Sequence, residues 1–447
     1  MPAAIATRPA IIIIVLFMFS AACQPAQPTV VLPLSTAAAS PATDEADTKI
    51  PTQEPIEPTP TMLPLLEGSV DLWLDWSQAE LKVLNASLDN FQKTFPNVQI
   101  SISYFPAEDL LEEFRQAGRE NREPALLIGP SEWGRALFAE GMIQDIQDRL
   151  RPQLVDTIHP VAWGSVRQGR FILGLPLTMQ GVVLYRNTAL VAQPAATLSE
   201  LIEASNALEQ EGYIGTLIDL GFFSAGAHLS ACDGELLTDD GELALTRGAG
   251  ECWLQILDDW TKAGKSTFNT EDDYDAFLKG QSAWLVDGSW KADPLIAALG
   301  VENLAIDPWP VYTPSGRRLS GYAWTNNLYF GSSSQDQDFD VAWILARFLL
   351  TEEVQLSLGD ARSGRQFPVV TGAEFEDIWL QEMLVALREN IPLPLYPQFE
   401  IFIELLEPAI FDVARRGYEP YWSINFVYPK LERAIEAYAR REGRTTQ

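Results

Sequence analysis

From about residue 66 onward, apolar positions along the chain switch repeatedly between a period of two and a helical period. Val70, Leu72 and Leu74 occupy every second position, the pattern of a half-buried strand. Ser77 followed by Glu80 has the spacing of a capping box, which predicts a helix start, and Leu81, Leu84, Leu88, Phe91 and Phe95 then recur at helical spacing. Val98, Ile100, Ile102 and Tyr104 return to period two, Leu110, Leu111 and Phe114 to the helical period, and Leu126-Leu127-Ile128-Gly129 form a short apolar run. Strand and helix therefore alternate, which predicts an α/β fold built on a mostly parallel sheet. Ligands of such sheets sit beyond the carboxyl ends of strands, so the loops Asp75-Trp76 and Pro130-Ser131-Glu132-Trp133 are the first places to look for a site.

The first 65 residues read differently. Arg8, the apolar run Ile11 to Phe19 and then Ser20-Ala21-Ala22-Cys23 have the layout of a secretory signal over residues 1–22. The run falls short of the roughly 20 residues that span a bilayer as a helix. From Gln24 to about Pro64 the chain is rich in Pro, Thr, Ala and Ser, with Pro51, Pro55, Pro58 and Pro60 close together. Such a stretch cannot bury enough surface to fold and is expected to be a semi-extended tether.

Composition narrows the function. The 447 residues suggest two or three folding units, at roughly 100 to 200 residues each. Hydrophobic residues at 47% and charged residues at 21% are the balance of a soluble globular body. Lys and Arg number 31 against 61 Asp and Glu, a net charge of −30, so nucleic acid would be repelled. The acidity reads first as a solubilising surface and second as a pocket for a cation or polyamine. His159 and His228 stand far apart, with no Cys pair at ligand spacing, so neither a metal nor another cofactor is expected. The chain has no Gly-rich phosphate loop, no Gly-x-Ser-x-Gly elbow and no His-Glu-x-x-His helix, which favours a binder over an enzyme. The remaining enzymatic alternative is a lipid-anchored glycoside hydrolase working with two carboxylates.

Ser20-Ala21-Ala22-Cys23 resembles the lipobox of bacterial lipoproteins, with Ser20 where that motif usually has Leu; Cys23 would be the lipidated residue, the alternative being signal cleavage near Ala22 with a free thiol. Across the body, ordered segments are similar to family 1 extracellular solute-binding proteins of the maltose-binding type. They are Val70 to Trp76, Phe91 to Val98, Leu173 to Thr178, Val183 to Asn187, Phe277 to Gly280, Ala283 to Trp290, Pro308-Trp309-Pro310, Ser320-Gly321-Tyr322, and Ala342 to Glu353. Arg186 stands where the family commonly has Tyr. The resemblance implies the two-lobe periplasmic-binding-protein fold (type II), each lobe a mostly parallel sheet flanked by helices, with a hinge between. The first lobe would take residues 66–177 and 322–366, and the second 178–321 and 367–447. It also implies a monomeric substrate-binding component of an ABC importer, held through its lipid at the outer face of the bacterial cytoplasmic membrane. Such a component passes a sugar or oligosaccharide to permease subunits.

A sugar offers hydroxyls at its rim and weakly apolar C–H faces, which call for carboxylate or amide acceptors and for aromatic rings. Matching residue by residue, the resemblance implies ligand contacts from Asp75, Trp76, Glu132, Trp133, Gln180, Trp290, Tyr322 and Trp324. Trp133 replaces a common Arg, and around Phe222-Phe223-Ser224 an acid usual in the maltose type is missing. Trp73, Trp253 and Trp343 sit at positions that suit a core. Cys232 and Cys252 are candidate disulfide partners in an oxidising compartment, the alternative being two buried thiols.

Overall fold

The computed structural model of the chain describes residues 66–441, apart from 239–240, 268–269, 335 and 361–364. The expected signal segment, Cys23 and the tether lie outside the described residues. Residues Met62–Gln447 gather into one compact unit.

The alternation at the start of the body becomes structure. In the opening strand Glu67–Leu74, Val70, Leu72 and Leu74 are buried while their neighbours are not. Ser77 Oγ accepts the Glu80 N–H at 3.4 Å and Glu80 Oε2 accepts the Ser77 N–H at 2.7 Å, so the capping box forms and starts the helix Gln78–Thr94. That helix turns Leu84, Leu88 and Phe91 into the core.

One sheet runs through the body in the strand order Asn97–Tyr104, Glu67–Leu74, Leu126–Pro130, Tyr322–Phe330, Leu175–Asn187, Ser282–Gly288, Ile214–Asp219 and Gly264–Thr267. At both ends neighbours run parallel, as strand–helix alternation requires. In the middle they run antiparallel, which departs from the mostly parallel expectation. The cause is connectivity. Leu175–Asn187 carries the chain from one half of the molecule to the other and Tyr322–Phe330 carries it back, so the two lie side by side in opposite directions.

The crossing strand Leu175–Asn187 is buried along its length except at Gln180. Its first part pairs with the return strand Tyr322–Phe330 and its last part with Ser282–Gly288. Where the partners change, the backbones come close. A Cβ on Gly181 would lie 2.7 Å from the Tyr322 carbonyl oxygen, and one on Gly321 would overlap the Val182 carbonyl, so neither position admits a side chain. Asn390 fastens this point: its Nδ2 donates to the Val182 carbonyl at 2.9 Å, and its Oδ1 accepts from Gly321 N–H at 3.1 Å and from Trp309 Nε1 at 3.0 Å.

Two large cores flank the seam. The first gathers Leu72, Leu74, Leu126, Ile128, Leu177 and Leu328 with the helices Gln78–Thr94, Asp336–Leu349 and Ile378–Glu389. The second is rich in indoles, with Trp253, Trp260, Trp284 and Trp309 packed against Phe402, Leu406, Ile410, Ile424 and Leu431 of the helices Phe399–Arg416 and Pro420–Arg441. Trp253 is fully buried, whereas Trp73 and Trp343 are partly buried against their cores. Cys232 and Cys252 are bonded, their Cα atoms 5.9 Å apart, tying the turn Gly226–Cys232 to the helix Arg247–Trp260. Arg186 finds its partner across strands: its Nε donates to Asp307 at 2.8 Å, and Trp284 Nε1 donates to the same carboxylate at 3.0 Å. Burial pushes the Asp307 carboxyl up, opposed by the Arg186 charge. His228 is stacked on Trp260 with ring centroids 5.1 Å apart, and burial lowers its pKa to about 4, so the ring is neutral at neutral pH.

Candidate functional site

Alternate residues of a strand share a face, so the return strand sets Tyr322 and Trp324 side by side. In register with Trp324 on the crossing strand is Gln180, and residues opposite one another in an antiparallel pair point the same way. Gln180 is therefore the single position of that strand left partly open, beside an indole.

Trp290 joins them from the turn after Ser282–Gly288. Its ring lies over Gly288, where any Cβ would overlap it, and Ser289 Oγ accepts the Gly181 N–H at 3.3 Å, tying the turn to the crossing strand. Trp290 remains 44% exposed, and its ring centroid is 5.2 Å from that of Trp324. Phe223 closes the group, 5.3 Å from Trp324 and 6.5 Å from Tyr322. Tyr322 itself is buried, with its hydroxyl where a Cβ on Gly226 would be 2.8 Å away.

Next to these rings lies a cavity of about 750 Å³. Tyr322 forms part of its wall, and Arg135, Arg167, Leu229, Arg317 and Tyr396 line it from both sides. The Arg135 guanidinium sits 5.5 Å over the Tyr396 ring, and Arg317 pairs with Asp233. Of the eight expected contacts, Tyr322 alone is in this lining.

The other expected residues stand at the carboxyl ends of first-half strands. Asp75 is partly buried; burial raises its pKa, against a hydrogen bond from its own backbone, and Glu80 adds repulsion. Trp76 is packed in the first core at 4% exposure, with no acceptor for its indole N–H among the described residues. Its ring faces other apolar side chains and offers no open surface for stacking. Glu132 precedes the helix Trp133–Ala139 and accepts a hydrogen bond from Ser131 Oγ at 3.3 Å. Although the residue as a whole is exposed, its carboxyl is crowded by protein, and desolvation raises its pKa. Trp133 is half-buried with its ring over Gly129, where a Cβ would come within 2.5 Å. The Ser131 N–H donates to the Thr325 carbonyl at 2.9 Å, so this loop hangs on the return strand.

Two features escaped the sequence. Phe223 belongs to the ring group. Gln366 links Glu80 to both long strands, donating to Glu80 and accepting from Thr178 Oγ1 at 2.6 Å and Asn326 Nδ2 at 3.1 Å. A missing acid beside Phe223 was visible in the chain; nothing local marked Gln366.

A model of bacterial extracellular solute-binding proteins matches residues 86–382. The chain belongs to that family. Among solved structures with the same fold is the extracellular solute-binding protein from Staphylococcus aureus in complex with maltose. It is 15% identical over 83% of this chain and 98% of its own, with a TM-score of 0.72. The sugar-binding protein MalE from Xanthomonas citri is 17% identical over 85% and 100%, with a TM-score of 0.71. The GacH receptor of Streptomyces glaucescens, solved unliganded and with acarbose, is 19% identical over 82% and 99%, with a TM-score of 0.62. The fold is thus the two-lobe fold of periplasmic binding proteins, and the family and these neighbours are binding proteins. The ring group stands directly where the crossing and return strands run side by side.

Proposed function

We propose that this solute-binding protein is the extracellular substrate-binding component of an ABC importer, holding a sugar or oligosaccharide between its lobes and delivering it to a membrane permease. The observation that carries the reading is the open ring group of Trp290, Trp324 and Phe223, with Gln180 beside it in register and a cavity of about 750 Å³ adjoining. Rings serve the apolar faces of a pyranose and the amide serves its hydroxyls. The desolvated carboxyls of Asp75 and Glu132 act as acceptors from the first lobe, facing Trp290 and Phe223 of the second, Trp133 rims the site, and Trp76 supports it from within the core. The lobes divide as 66–177 with 322–366, and 178–321 with 367–447, the helix Ile378–Glu389 of the second reaching across to pack in the first core. Cys23 carries the lipid, residues 24–65 form the tether, and the protein works as a monomer.

Arg135, Arg167 and Arg317 outnumber Asp233 and Glu235 around the cavity, which disfavours a polyamine there. The test is a thermal-shift screen of residues 24–447 against mono-, di- and oligosaccharides, amino acids and polyamines, since a ligand of the folded state raises Tm. A sugar that raises Tm in the wild type and not in Trp290→Ala is the expected result. A response to polyamines alone, or cleavage of the glycan during incubation, would overturn the reading.

A further inference from the structure

The helix Pro420–Arg441 is apolar on both sides of its first half. Inward, Ile424, Val427 and Leu431 are buried in the second core. Outward, Trp422 and Phe426 stand four apart with exposures of 68% and 69%, and Tyr418, just before the helix, is 54% exposed. Tyr421 stands beside Trp422, ring edge to face at 5.1 Å, and Lys430 extends the line with Nζ 3.8 Å over the Phe426 ring. Side chains four apart share a helix face, so Trp422, Phe426 and Lys430 make one ridge, with Tyr421 beside it. Helices that are apolar all round are normally covered, and monomeric proteins seldom leave large contiguous apolar patches open.

The charges around the ridge also set it apart. Arg416, at the end of the preceding helix, lies 5.0 Å over Phe411, and Arg247 lies 4.4 Å over Tyr428. From Phe411 to Arg433 the basic residues Arg415, Arg416, Lys430 and Arg433 outnumber the acidic residues Asp412, Glu419 and Glu432, in a chain with 31 basic and 61 acidic residues. This is a face by which a strongly acidic molecule can approach an anionic surface with little repulsion. Indole and phenol rings with long-stemmed cations among them are the side chains that partition to a membrane–water interface. Rings this exposed stand proud of the surface, which suits a fluid bilayer that yields to them.

We propose that this ridge rests in the headgroup region of an anionic lipid bilayer, with Trp422 and Phe426 at the acyl boundary and Lys430 and Arg416 among the phosphates. The inference stands apart from the sugar reading, because none of these residues lines the cavity or belongs to the ring group. Residues 24–447 keep the whole compact unit, which alone corresponds to nearly complete chains of the solved neighbours. In co-sedimentation with vesicles of phosphatidylcholine and phosphatidylglycerol, this protein is expected to pellet with the lipid. Trp422→Ser/Phe426→Ser should partition at least about tenfold less, with Tm unchanged because both side chains point outward. Lys430→Glu should weaken binding to the mixed vesicles and leave binding to phosphatidylcholine alone unaltered. Failure of the wild type to pellet, or equal pelleting of the double variant, overturns the proposal. A vesicle-free dimer in sedimentation velocity that the double variant abolishes also overturns it, assigning the ridge to a second copy of the chain.

Discussion

Trp76 and Trp290 each stand two residues past the end of a strand, and the fold uses them in opposite ways. Trp76 follows Glu67–Leu74 and is 4% exposed in the first core; Trp290 follows Ser282–Gly288 and is 44% exposed beside Trp324. The difference lies in what comes next. After Trp76 the capping box launches a helix at once and folds the indole under it. After Gly288 a short turn intervenes, and the glycine itself provides the floor on which the ring lies. The first half thus holds carboxyls raised above their usual pKa by burial, while Trp290 and Phe223 of the second half meet Trp324 of the return strand in the ring group.

The largest effect that could break this contrast is Trp76→Ala. As a core truncation it should cost about 3 to 5 kcal/mol, read as a large drop in Tm. An unchanged Tm would mean that the two indoles are equivalent. Acid separates the regions next. His228 has a folded pKa of about 4 against an ordinary value of 6.5. Folding therefore favours its neutral form, and this contribution is full above about pH 6.5 and is lost progressively down to about pH 4. The loss amounts to roughly 3 kcal/mol. His228→Gln should lose less stability than wild type over that window in denaturant melts at stepped pH. The first-half carboxyls of Asp75 and Glu132, raised by burial, act with the opposite sign, and their protonation favours the folded state as pH falls.

Trp290→Ala comes third. It should lower sugar affinity about thirtyfold, near 2 kcal/mol, while moving stability by under about 0.5 kcal/mol as an exposed substitution; calorimetric titration together with melting separates the two. Glu132→Gln is the smallest, a loss of about 1 kcal/mol in binding at neutral pH. In the wild type, affinity should fall with acidification at a higher pH than an ordinary glutamate would set, because desolvation raises its pKa. A flat affinity profile would remove Glu132 from the ligand's partners.

Much of this architecture is written locally. The capping box at Ser77, the strand alternation of Val70, Leu72 and Leu74, and the helical spacing through Phe91 are short-range patterns, and each becomes the element it predicts. The order of family-like segments carries the two-lobe fold. Contacts between distant segments are harder to read. Asn390 reaches Val182 across 208 positions and Gln366 reaches Glu80 across 286, and nothing near either residue marks it. The antiparallel centre of the sheet is likewise a property of the return path. Arg186 in place of a usual Tyr acquires its reason only when Leu304–Asp307 pairs beside it and brings Asp307 within reach.

The ladder along Leu175–Asn187, with one register shift where Leu177 lies opposite Asn326 and Asn327, has a mechanical consequence. Because the strand passes from one set of partners to the next without a gap, relative movement of the two halves can be taken up as a small change of twist spread over many residues, with each hydrogen bond bending slightly and none released. Such a joint behaves as a torsion spring. Its amides, Val182 among them, should exchange with deuterium as slowly as those of the deepest core even while the cleft samples a wide range of apertures.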